Sequence, residues 1–120
     1  MWQISNVLVM GIAALHGYFL VLEMFFWTKP RGLKVFGHSL EQAKSSAALA
    51  ANQGLYNGFL AAGLIWGLVH PSPEVANQIK GFFLICIVIA GLYGGYTVDK
   101  KIAMIQALPA VVALVLLTLF

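Results

Sequence analysis

Four long apolar runs, separated by short polar connections, limit what this chain can become. A helix that crosses a hydrocarbon core of about 30 Å needs about 20 mostly apolar residues. Residues 6–27, 47–69, 81–98 and 102–120 approach or exceed that length. The runs are continuous rather than alternating, so each reads as a helix that satisfies its own backbone in lipid, not as a barrel strand. The expectation is an all-α fold: a polytopic membrane protein whose single domain, residues 1–120, holds four transmembrane helices in an antiparallel bundle.

Composition bears on the same point. Seven basic and four acidic side chains, 9% of the chain, stand against 61% hydrophobic residues. A soluble domain carries about 25% charged residues, and so few charges would not cover a soluble globule of this size. Disorder needs the opposite balance. A disulfide scaffold is excluded because Cys86 is the lone cysteine. The start, Met1-Trp2-Gln3, lacks a positive n-region, and His16 and Glu23 interrupt the first run, so that run reads as a mature span.

The connections carry local signals. Pro30 and Gly32 should stop the first helix. Ser39 followed by Gln42 reads as a capping box, so the second helix should begin near Leu40. Ser72 and Pro73 read as the N-cap and first residue of the third helix. Short links predict hairpins between spans two and three and between spans three and four. Pro109 should kink the fourth span near Gln106. Trp2, Phe25, Phe26, Trp27 and Trp66 fall near span ends, where an interfacial aromatic belt belongs.

Charge sets orientation. The first and third connections, residues 28–46 and 97–101, hold Lys29, Arg31, Lys34, Lys44, Lys100 and Lys101, and the opposite side has only Lys80. The positive-inside rule then puts both connections in the cytoplasm and both termini outside. The net charge of +3 reflects this topology and contact with anionic membrane lipids, and gives no reason to invoke nucleic acid.

The informative residues are the polar ones inside the runs. His16 and Glu23 are seven apart and share a helix face. Asn52 and Tyr56 stack at i and i+4, as do Gln53 and Asn57, and the four form a polar arc on span two. Glu23, Asn52, Gln53, Tyr96 and Gln106 should reach a common depth near the cytoplasmic ends of their spans, so that all four spans contribute, with His16, Tyr56 and Asn57 deeper. Amide and phenol groups in spans often serve as interhelical glue. A carboxylate there is costly unless paired, protonated or hydrated, and is rare without function. Its bland alternative is snorkelling toward Lys29 or Arg31. The candidate ligand site is therefore Glu23, His16, Asn52, Gln53, Tyr56, Asn57 and Gln106. No spacing suggests a metal site or a cofactor motif. Gly54 and Gly58, Gly63 and Gly67, and Gly91 and Gly95 form small-xxx-small pairs, more than one hairpin contact needs, which leaves room for a homodimer or trimer.

Glu23-Met24-Phe25-Phe26-Trp27-Thr28-Lys29-Pro30-Arg31-Gly32, the block Ala51-Asn52-Gln53-Gly54-Leu55-Tyr56-Asn57-Gly58, and Gln106-Ala107-Leu108-Pro109-Ala110 resemble the domain of unknown function 1304 family, small bacterial membrane proteins with four expected helices. The resemblance covers nearly the whole chain and implies a membrane location without naming a reaction. Small multidrug-resistance transporters share the length and a glutamate in the first helix, but their local motifs differ.

Three functions fit these residues. A carrier or binding protein would use Glu23 to exchange a proton or pair with a ligand held by the Asn52–Asn57 arc. A membrane enzyme acting on a quinone or lipid would use Glu23 or His16 as acid or base, with Tyr56 or Gln106 polarising the substrate. A structural or assembly subunit would use the cluster as packing glue. The first leads, because no nucleophile–base pair is visible.

The topology is directly testable. Single cysteines at Ser46 and Ser72, in a Cys86→Ala background, should label from opposite membrane faces, Ser46 from the cytoplasm. Labelling of position 72 only from the cytoplasm would overturn the orientation.

Overall fold

The structure is a computed structural model and describes residues 3–119; Trp2 of the expected aromatic belt, and the chain ends at Met1 and Phe120, lie outside the described residues. Every regular element among them is helical: α1 (Ile4–Phe25), α2 (Pro30–Phe36), α3 (Leu40–Val69), α4 (Pro73–Thr97) and α5 (Lys100–Leu119). Three of these, α1, α4 and α5, are long and apolar enough to cross a membrane. The expected second span lies in α3, which has 30 residues but is not among the three. Length is not its shortfall. Asn52, Gln53, Tyr56 and Asn57 sit together in its middle and lower its hydropathy.

Local signals explain the helix ends. Ser39 and Gln42 form the reciprocal capping box: Gln42 N–H donates to Ser39 Oγ at 3.1 Å, and Ser39 N–H donates to Gln42 Oε1 at 3.0 Å. Ser72 Oγ accepts from Val75 N–H at 3.4 Å, with Pro73 in the first turn of α4. The connection at 28–46 departs from expectation. Pro30 does not merely stop α1; it opens α2, and Gly37 closes α2 in the left-handed conformation at φ 68°. Gly32 is buried inside α2, and a side chain there would meet the backbone carbonyl of Phe26.

The chain forms two compact units, one of residues 1–13 and 62–120, the other of residues 14–61. In the first, α4 and α5 approach through small residues. Gly91 lies against Ala107, Gly94 against Ile102 and Gly95 against Ala103, so the two helices run in opposite directions. Gly63 against Phe83 and Gly67 against Lys80 give α4 the same relation to the end of α3. Pro109 acts as a widened turn: Ala103–Ala107 is π-helical, and Leu108 N–H bonds back to the Ala103 carbonyl. A proline has no N–H to offer the usual acceptor four residues earlier, and a π turn absorbs that mismatch.

Lys80 is buried, although a lysine is ordinarily exposed. α4 begins at Pro73, as its cap signal predicts, and two turns later Lys80 is only 4% exposed.

In the second unit α1 and α3 meet through Gly54 and Gly58. A Cβ on Gly54 would stand 3.0 Å from Glu23 Cβ and 3.2 Å from the Leu20 carbonyl oxygen, and one on Gly58 would stand 2.5 Å from Leu20 Cδ1. Trp27 Nε1 donates to Ser46 Oγ at 3.1 Å, tying the end of α1 to the first turns of α3.

The close α4–α5 contact predicts the sign of two glycine substitutions. A Cβ at Gly91 would lie 2.6 Å from the Ala107 backbone nitrogen, whereas at Gly81 the nearest atom is 3.9 Å away. Gly91→Ala should destabilise by about 1–3 kcal/mol through overpacking. Gly81→Ala should be neutral or stabilise by up to about 1 kcal/mol through helix propensity. Thermal unfolding of both variants in one detergent checks the contrast.

Candidate functional site

The site starts from the buried stripe of α1. Ser5, Val9, Ile12, His16 and Glu23 are all buried, at spacings of three, four and seven that trace one helix face. Glu23 is 2% exposed and His16 is 1% exposed. The carboxylate therefore turns inward, and the snorkelling alternative does not describe it. Arg31, one of its expected partners, is engaged elsewhere: Nε and Nη2 donate to Tyr18 Oη at 2.9 and 2.7 Å.

The Glu23 carboxylate is instead held by amides of α3. Gln53 Nε2 donates to Glu23 Oε2 at 2.7 Å, and Asn57 Nδ2 donates to Glu23 Oε1. Gln53 and Asn57 are four apart, so one helix face delivers both. The close approach at Gly54, between them, brings α1 near enough for short amide side chains to reach. Both carboxylate oxygens accept, and each keeps a second lone pair. The partners are neutral, so they could hydrogen-bond a negative charge on the carboxylate but not neutralise it; no ion pair to Glu23 occurs among the described residues.

The other expected site residues divide. Asn52 and Tyr56, the second stack on α3, are exposed, as is Gln53, but unlike Gln53 they do not bond Glu23; Tyr56 is 58% exposed and its ring meets Phe59 at 5.6 Å. They point about 100° away from the Gln53–Asn57 face and make no bond to Glu23. The expected four-residue arc is thus split, with one stack on the carboxylate and the other on the outer surface. His16 is buried two turns from Glu23, its ring edge-on to Phe19 at 5.6 Å. Gln106 is half-buried in the π turn of α5 and belongs to the other unit. Sequence reasoning passed over Tyr18 as the partner of Arg31. Its signal was position: Tyr18 is on the exposed side of α1, five residues before Glu23, within reach of a long basic side chain after the turn. Among the described residues no group of three His, Cys, Asp or Glu could hold a metal ion.

The family match spans the site. Residues 10–118 match the model described as "Protein of unknown function (DUF1304)". The chain belongs to that family. A relative, "Uncharacterized protein YpaA" of Lactococcus lactis subsp. lactis (strain IL1403), is 32% identical over 114 residues, covering 93% of this chain and 94% of the relative. No solved structure matches the chain.

The amide–carboxylate contact has a measurable strength. A double-mutant cycle with Glu23→Ala and Asn57→Ala should give a coupling of about 0.6–1.7 kcal/mol, the range for polar contacts between membrane helices. Asn52→Ala with Glu23→Ala should couple near zero. Unfolding titrations in mixed micelles read both.

Proposed function

We propose that this protein is a four-span inner-membrane protein that binds or transports a small ligand through Glu23. On this reading α3 crosses the membrane as the fourth span, with Gln53 and Asn57 satisfied by the Glu23 carboxylate and Asn52 and Tyr56 on its outer surface. The observation that carries the proposal is the buried carboxylate of Glu23, held on both oxygens by Gln53 and Asn57 and lacking a cationic partner among the described residues. Neutral amides orient a carboxylate without cancelling its charge. The remaining lone pairs and the uncancelled charge suit a ligand with an ammonium, another cationic group or a strong hydrogen-bond donor. Proton and ligand would then compete for one carboxylate, which is the simplest way to couple transport to a proton.

Glu23→Gln tests this cleanly. The substitution keeps shape, and an amide flip of Gln53 or Asn57 can restore the hydrogen bonds. The variant should fold, yet lose the ligand. Native mass spectrometry of protein released from mild detergent should show a bound polar metabolite on the wild type and none on Glu23→Gln. Tetraphenylphosphonium, as a lipophilic-cation probe, should bind at least about tenfold more weakly to the variant, about 1.4 kcal/mol. Phospholipid alone on both proteins, with equal binding of the probe, would leave Glu23 as interhelical glue and sink the proposal.

A further inference from the structure

A second buried charge lies in the other unit, where nothing so far assigns a role. A lysine in a membrane helix ordinarily extends its stem and places the ammonium in the headgroup region. Lys80 does not. It is 4% exposed, and Nζ donates to Asn6 Oδ1 on α1 at 2.6 Å. Its stem lies where a side chain at position 67 would be: a Cβ on Gly67 would stand 2.5 Å from Lys80 Cγ and 3.2 Å from its backbone nitrogen. The glycine leaves the groove that lets the lysine turn inward.

The inward position lacks compensation. An ammonium has three donors, and Asn6 satisfies one of them with a neutral acceptor. No carboxylate pairs with Lys80 among the described residues. A buried charge without an opposite charge is costly, so an anion is the natural complement. Two further features share the first turn of α1. Ser5 is 1% exposed, and its Oγ has no hydrogen-bond partner among the described residues, although a hydroxyl can donate. The first turn of α1, 22 residues long, contains no acidic residue to offset its positive pole.

We propose that Lys80, Asn6 and Ser5 form an oxyanion site at the start of α1 that takes a phosphate group. Lys80 supplies the charge, Asn6 positions the ammonium through its carbonyl oxygen, and Ser5 donates from the hydroxyl. A phospholipid headgroup and a free phosphate compound present the same chemistry, and the site is independent of Glu23.

The test uses full-length protein, delipidated in neutral detergent and titrated separately with inorganic phosphate, dioleoylphosphatidylglycerol and, as a phosphate-free control, dioleoylglycerol. Native mass spectrometry and the unfolding midpoint read binding. Phosphatidylglycerol, alone or with inorganic phosphate, should bind the wild type; binding of the lipid alone assigns the site to headgroups, and binding of inorganic phosphate assigns it to the phosphate group itself. Affinity should fall at least about tenfold in Lys80→Met, which keeps the stem and removes the charge. Ser5→Ala removes one oxygen without disturbing the fold, so it decides the matter if Lys80→Met does not fold; it should weaken binding several-fold. Equal binding by wild type and Ser5→Ala, unchanged binding by Lys80→Met, or dioleoylglycerol binding as well as phosphatidylglycerol would overturn the proposal.

Discussion

A buried donor or acceptor left without a partner is costly, so a fold that buries a carboxylate must offer it hydrogen bonds. The bonds from Gln53 and Asn57 to Glu23 are the clearest consequence in this chain. They fix the rotational setting of α1 against α3 within residues 14–61. A turn of either helix by one residue, about 100°, would carry the amides off the carboxylate. Apolar packing alone cannot impose such a setting in lipid, because lipid tails are as apolar as leucine.

That setting depends in turn on small residues. Short amides reach the carboxylate because Gly54 and Gly58 let α3 lie against Leu20, Glu23 and Met24. The same device recurs in the other unit, where Gly91, Gly94 and Gly95 admit α5 and Gly67 admits the stem of Lys80. Glycine costs about 1 kcal/mol of helix propensity relative to alanine, a cost offset where the missing Cβ allows a contact that no other residue permits. Gly81, with open space beside it, has no such account.

Much of this was legible in the sequence because the signals are local. The capping box at Ser39 and Gln42, the Ser72 cap, and the shared face of His16 and Glu23 follow from spacing along one chain. What stayed hidden depended on partners. Two stacks, Asn52 with Tyr56 and Gln53 with Asn57, were equivalent by periodicity, and only the packing of α1 selects the second. Pro30 was readable as a break but not as the opening of α2, since a proline ends one helix and begins another with the same stereochemistry. The burial of Lys80 has no signal along the chain, because the groove at Gly67 that admits its stem is visible only in three dimensions. Polar residues also made α3 fall short of a span by hydropathy, although they are the feature that makes it chemically interesting.

Glu23 and Lys80 together show a common solution to buried charge. Opposite charges placed side by side would cancel and leave a stable but inert pair. Here each charge, one in each unit, is met locally by neutral amides: Gln53 and Asn57 for the carboxylate, Asn6 for the ammonium. An amide lowers the cost of burial through a hydrogen bond worth only about 1.5–3 kcal/mol to a charged group, well short of what a full counter-charge gives in a medium of low dielectric. The residual field is what a binding site requires. Small residues carry the contact between α4 and α5, whereas at Glu23 and Lys80 polar bonds add a rotational setting that apolar packing does not impose.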